Sequence, residues 1–241
     1  MIALVPARSG SKRCPGKNTR LLAGRPLLAY TIAAAQESGI FSEIIVASDE
    51  PLFNRVTIQH PARFIRRPCS RDDEPDIEWV RFVLAQLEDR PDSFALLRPT
   101  SPFRTAATIR RAKKAFNEMA DCGDSIRAVE RVKQTPFKMW LWQGPGTAIT
   151  PLLDRKNPDG VPYHSCPTQT CPEVWIQNSS LEMGWTANVE VHGTIHGRKV
   201  GPFFTEDYEG FVIDDEAQWA EAERIAYLYP DLLPKLESMA R

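Results

Sequence analysis

An apolar run, Ile2 to Val5, opens directly onto a small, polar, basic stretch, Pro6-Ala7-Arg8-Ser9-Gly10-Ser11-Lys12-Arg13-Cys14-Pro15-Gly16-Lys17-Asn18. No other junction constrains the chain as much. The run has the length and character of a buried strand, and the glycines and prolines after it bend and restrict the backbone. Arg8, Lys12, Arg13, Lys17, Arg20 and Arg25 all precede the first acid, Glu37. A glycine-containing loop at a strand end aims backbone N–H groups at an anion, and Arg and Lys heads add fixed positive charge. We read the stretch as a triphosphate cradle. A solvated basic loop is the alternative.

The loop is not a known phosphate motif of the commonest kinds. A Walker A loop needs Gly, four residues, then Gly-Lys-Ser/Thr. Here five residues separate Gly10 from Gly16, and Asn18 stands where the magnesium-binding hydroxyl belongs. The Gly-x-Gly-x-x-Gly of dinucleotide folds is also absent.

Downstream of the loop, helical and strand patterns alternate. Residues 26–38 carry helical spacing, with Pro26 at the start and Gly39 as the stop. Ile44 to Ala47 is a strand. Pro75 to Glu88 has apolar residues at helical intervals, Phe94 to Leu97 is a strand, and Thr105 caps a helix from Ala106 to about Ala120. Ser125 to Val132 is a further strand. From about residue 132 to 204 the helical period disappears, with short strand candidates at 139–142, 173–176, 188–191 and 200–204. Tyr208 to Ile213 is expected as a last strand and Asp214 to Tyr227 as a closing helix. Strand–helix alternation predicts an α/β chain with a mainly parallel sheet and helices on both faces, interrupted by a β-rich arm.

Composition narrows the function. The 241 residues are 42% hydrophobic and 25% charged, with a net charge of -1, so positive charge is local and nothing global points to nucleic acid. No apolar run is long enough to span a bilayer, and the N-terminus lacks a signal-peptide layout. Five scattered cysteines are expected as free thiols in a reducing cytoplasm. Cys166, Cys171 and His164 lack the second ligand pair of a zinc site.

Pro-Ala-Arg-x-Gly-Ser-Lys-Arg-x-Pro-Gly-Lys-Asn, followed by Leu-Ala-Gly-Arg-Pro-Leu-Leu-Ala-Tyr-Thr-Ile at 22–32, resembles the opening of the acylneuraminate cytidylyltransferases, the group that includes the CMP-sialic acid synthetases. The resemblance implies a Rossmann-like nucleotidyltransferase fold as a single domain over 1–241. It also implies a homodimer, with the inserted arm of about 132–204 reaching toward the partner. It implies CTP and an acidic, sialic-acid-like (nonulosonic) sugar as substrates, with Mg2+. GTP with a related acidic sugar, or a nucleotide-binding protein without turnover, are the alternatives.

By the same resemblance Lys17 meets the α-phosphate, Arg8 and Lys12 the β- and γ-phosphates, and Asn18 and Ser11 complete the loop. Ala7, Arg67 and Asp76 surround the base; Arg67 paired with Asp72 or Asp73 at the surface is the alternative. Asp214 is the metal candidate, with Asp215 beside it. Family members often carry Asp-x-Asp here, and Val212 removes the first carboxylate. Asp214-Asp215 also reads as a plain helix cap. Arg98-Pro99-Thr100-Ser101-Pro102-Phe103-Arg104 corresponds to the family's Leu-Gln-Pro-Thr-Ser-Pro-Leu-Arg, with Arg98 in place of the Gln. An Arg there suits bidentate pairing with a sugar carboxylate. The segment 175–182 resembles Tyr-x-x-Asn-Gly-x-x-Tyr, with Trp175, Ser179 and Glu182 as substitutions. Ser101, Arg104, Gln177, Asn178 and Phe203 complete the expected acceptor side.

Overall fold

A computed structural model describes residues 1–8, 10–58, 60–68, 74–119 and 121–235. In chain order the strands are β1 (Ile2–Pro6), the short pair β2 (Leu21–Leu22) and β3 (Arg25–Pro26), β4 (Glu43–Ser48), β5 (Arg63–Arg66), β6 (Ser93–Leu97), β7 (Ser125–Arg131), the short pair β8 (Trp140–Leu141) and β9 (Thr150–Pro151), β10 (Trp175–Trp185) and β11 (Val200–Phe204). The helices are α1 (Leu27–Ser38), α2 (Asn54–Ile58), α3 (Asp76–Leu84), α4 (Ala106–Glu118) and α5 (Glu216–Leu228). Seven strands form one sheet in the order β11-β7-β10-β6-β1-β4-β5. β1 lies parallel to both β4 and β6, and β4 parallel to β5, whereas β10 runs antiparallel to β6.

The two-residue period of β1 divides the core. Ala3 and Val5 pack with Leu28 and Ile32 of α1 and Ile109 and Phe116 of α4. Ile2 and Leu4 face the other way, onto Trp79, Val80 and Val83 of α3. Helices therefore cover both faces, in the Rossmann-like arrangement expected. A third cluster joins Cys14, Leu22 and Leu27 to Trp219, Ala222 and Ile225 of α5, which seats the basic loop on a packed base.

Local chemistry sets the helix ends. Gly39 closes α1 in the left-handed region at φ 69°, where a β-carbon is strained. Thr105 accepts from the Thr108 amide and starts α4 as a capping box. Pro26, expected at the first helical position, is instead the residue before it.

Two expected strands are absent. Residues 208–213 do not pair in the sheet: the Phe211 amide turns back to the Tyr208 carbonyl, and the Ile213 amide donates to Thr100 O at 2.9 Å. Residues 188–192 form one π-helical turn, because Asn188 spends its side-chain amide on Asp124 O and Gly193 ends the turn at φ 66°. The expected short strand at 173–176 is the start of β10, which runs eleven residues to Trp185.

A second compact unit, Val129–Gln177, is inserted in the sequence. It is narrower than the expected arm, since residues 178–204 belong to the first unit, Met1–Ala128 with Asn178–Arg241. Within it Phe137 stacks at a tilt on Tyr163, and Trp140 on His164. Cys166 donates to Pro162 O, and among the described residues no three His, Cys, Asp or Glu side chains cluster as a metal-binding group.

Candidate active site

Parallel strands leave a crevice at their carboxyl ends. Here β1, β5 and β6 run out into Arg8, Arg67 and Arg98, and all three line a cavity of about 580 Å³. The basic loop forms one wall, with Gly10, Ser11, Lys12, Arg13, Lys17 and Asn18. Six cationic side chains, Arg8, Lys12, Arg13, Lys17, Arg67 and Arg98, meet three carboxylates, Glu74, Asp76 and Asp214. Positive charge that is diluted across the whole chain is thus concentrated here, where low-dielectric walls strengthen it.

The loop is held from below. Gly16 sits at φ 65°, and its carbonyl accepts from the Thr19 and Arg20 amides. Asn18 is buried and donates to Arg8 O at 3.0 Å, while its own Oδ1 is buried without a partner among the described residues. Arg20 pairs with Glu216 at 2.7 Å and lies over the Trp219 ring, tying the loop to the first turn of α5. Burial and the neighbouring Glu216 push the Cys14 thiol up, so this cysteine is a packed, protonated group.

Lys17 reaches across to the last segment. Its Nζ donates to Ile213 O at 2.9 Å and to Asp214 Oδ1 at 3.3 Å, and Arg13 lies 3.7 Å from Asp214 Oδ2. Asp214 therefore presents a half-exposed carboxylate at the cavity. Asp215 does not line the cavity. Its Oδ1 accepts from the Gln218 amide at 2.8 Å, and Gln218 Oε1 accepts from the Asp214 and Asp215 amides. Adjacent carboxylates have thus divided, one to the cavity and one to the helix cap.

Another part of the cavity lining is an ion-pair cluster. Asp76, the first residue of α3, takes the Arg98 fork on both oxygens, at 3.2 and 2.7 Å, and accepts from the Trp79 indole at 2.9 Å. Burial alone pushes the Asp76 carboxyl up; the Arg98 contacts, the Trp79 indole and the charge of Arg8 together outweigh it and hold it below its ordinary value. The partly buried Arg98 guanidinium is pulled down by desolvation, and its carboxylate partners reverse this. Arg67 pairs with Glu74 at 3.1 Å, and burial lowers its pKa more than Glu74 raises it. Asp72 and Asp73 lie outside the described residues.

Several expected acceptor residues lie elsewhere. Arg104 is 1% exposed and donates to Arg98 O, Ser180 O and Thr31 Oγ1, so it pins three backbone and side-chain acceptors inside the fold. Ser101 is equally buried, and Phe203 sits in the core with Arg111 over its ring. Asn178 donates to Thr205 Oγ1, and its neighbour Ser179 lines the cavity instead. Gln177 belongs to the other compact unit. Ala7 is fully buried, with its amide on Ala47 O. Trp79 and Glu74 also line the cavity, although no motif marks them; Trp79 stands three residues after Asp76, on the same helical face.

A sequence profile of the family described as Cytidylyltransferase matches residues 2–148. A CMP-N,N'-diacetyllegionaminic acid synthase of Legionella pneumophila is 44% identical over an alignment of 242 positions that covers 97% of this chain and 99% of that one. An N-acylneuraminate cytidylyltransferase of Escherichia coli is 40% identical over 121 residues, 49% of this chain and 29% of that one. Among solved structures, CMP:2-keto-3-deoxy-manno-octonic acid synthetase complexed with CTP matches with a TM-score of 0.66 at 12% identity, over 94% of this chain and 98% of that one, a likeness of fold. With the profile over more than half its residues and a relative of matching length, the chain belongs to the cytidylyltransferase family.

Proposed function

We propose that the protein transfers the CMP group of CTP to an acidic nonulosonic sugar. The observation that carries this reading is the cationic cavity at the strand ends, with Arg8, Lys12, Arg13 and Lys17 on one contiguous loop. A hydroxyl oxygen of the sugar bonds to the α-phosphorus, the bond from that phosphorus to the bridging oxygen breaks, and pyrophosphate departs with its electron pair. The hydroxyl proton passes to solvent. Such chemistry needs alignment and positive charge on the developing oxyanions more than covalent help. In this reading Lys17 leaves Asp214 for the α-phosphate, and Arg8 and Lys12 bind the departing phosphates. The legionaminic, sialic and octonic acid enzymes among the similar proteins support an acidic sugar as acceptor.

Asp214 offers one hard carboxylate oxygen donor at the cavity, which fits a magnesium ion that takes its other ligands from phosphates and water. Bound there, magnesium would neutralise charge on the triphosphate. Asp215, committed to its cap, is not part of that set. We further propose a homodimer formed through the Val129–Gln177 unit, working in the cytoplasm. No helix among the described residues is long and apolar enough to cross a membrane.

The test is pyrophosphate release from CTP with a panel of nonulosonic acids, run beside GTP, UTP and ATP. Release with CTP and at least one acid is expected. Release with another triphosphate alone would reject the cytidylyl assignment.

A further inference from the structure

Arg98 follows the last residue of β6 at the cavity, where a free guanidinium would be well placed to grip a sugar carboxylate. Its fork is not free. Asp76 holds it on both oxygens, and Nη2 also donates to Glu182 Oε1 at 3.1 Å. Glu182 stands on β10 opposite Leu96 of β6, and its second oxygen accepts twice from Arg127 of β7, at 3.2 and 2.6 Å. The order Asp76, Arg98, Glu182, Arg127 alternates in sign and sums to zero. It joins the start of one helix to three strands.

Ion pairs removed from water are poor stabilisers, because desolvation consumes most of their attraction, and apolar residues would close the same sheet as well. This network is also not spread at random. Asp76 and Arg98 form cavity wall, while Glu182 and Arg127 stand behind them, with side chains only 14% and 24% exposed.

We propose that Glu182 and Arg127 are positioning residues that act through Arg98 to set which acidic sugars the acceptor end admits. Held this way, Arg98 is a rigid, charge-balanced wall and not the receptor for the sugar's carboxylate. The wall suits an acidic sugar that turns neutral polar groups, hydroxyl or acylamino, toward it and leaves its carboxylate to the cationic loop. The inference rests on the cytidylyl-transfer reading above.

The experiment is a cycle of Arg98→Gln, Glu182→Gln and the double variant, measured by pyrophosphate release with CTP and an acidic sugar, and by thermal melting without substrate. Each single change breaks the balance and is expected to raise the acceptor KM on the order of tenfold, with the CTP KM changed by less than about threefold. The double variant leaves Asp76 and Arg127 in balance, so its acceptor KM should be no worse than that of the worse single variant. Arg127→Lys, which keeps the charge, should retain most of the wild-type acceptor KM. Losses that multiply in the double variant would mean that Arg98 meets the sugar independently of Glu182, and would overturn the proposal. Equal losses in both KM values, with a lower melting temperature, would do the same by reducing the network to a structural role. The melting cycle decides separately: non-additive shifts are expected, and additive ones refute the coupling even if the wild-type protein releases no pyrophosphate and the cytidylyl reading fails.

Discussion

Lys17 holds two acceptors in the cavity, the Asp214 carboxylate and the Ile213 carbonyl, and a triphosphate would compete for the same ammonium. Lys17→Ala should therefore lower kcat/KM for CTP on the order of a hundredfold or more, the scale of losing one preorganised donor to a developing oxyanion. Melting temperature should change little, so paired kinetics and calorimetry check the point. Asp76 makes a second residue-scale prediction, in pH. Its folded pKa is depressed, so its contribution to stability is present above the unfolded value of ~3.9 and disappears as pH falls through the lower folded value. Urea unfolding of wild type and Asp76→Asn should show a stability gap near neutrality that closes on acidification below about pH 4. A gap that stays constant to the acid limit would contradict the depressed carboxyl.

Helix starts let two neighbouring acids be told apart. Asp215 caps α5 through the Gln218 amide, whereas Asp214 faces the cavity. Asp215→Ala should cost about 1 kcal/mol and ~2–4 °C in Tm, as a lost cap does in a chain of this size, with the magnesium titration of turnover unmoved. Asp214→Ala should shift that titration instead. Movement of the midpoint in the Asp215 variant would make both acids ligands. The same elements show what sequence reading reaches. β1, β4 and β6 were legible because apolar runs end in turn residues, and α4 because Thr105 stands before a periodic stretch. Residues 208–213 misled because an apolar run can satisfy its amides on a loop such as Thr100 as well as on a strand. The basic loop was legible as a unit because its side chains are contiguous. Glu182 was not, because its partners Arg98 and Arg127 lie 84 and 55 residues away, and local pattern carries no signal for such pairing. Arg104 misled in the opposite direction, since a motif arginine reads as a ligand until its burial is known.

At the scale of the molecule, the main unit buries its apolar side chains in three clusters, and the Val129–Gln177 unit behaves differently. It leaves Trp140, Leu141, Trp142, Ile149, Trp175 and Ile176 exposed. Side chains this large and apolar on so small a unit are expensive to keep in water and are the kind enriched at buried interfaces. A second copy of the chain is the occupant we propose. Sedimentation velocity should then give a dimer at micromolar concentration. Trp142 is 63% exposed, the most open of the group, and makes the sharpest probe. If it anchors the interface, Trp142→Glu should weaken association on the order of thirtyfold or more, the effect of removing ~2 kcal/mol of hot-spot contact. The variant should run as a monomer where wild type is dimeric, with its melting temperature lowered only by the stabilisation that association lends the wild type, because the side chain packs against nothing essential within one chain. A wild-type protein that stays monomeric across the accessible concentration range would remove the dimer and leave these aromatics to another partner.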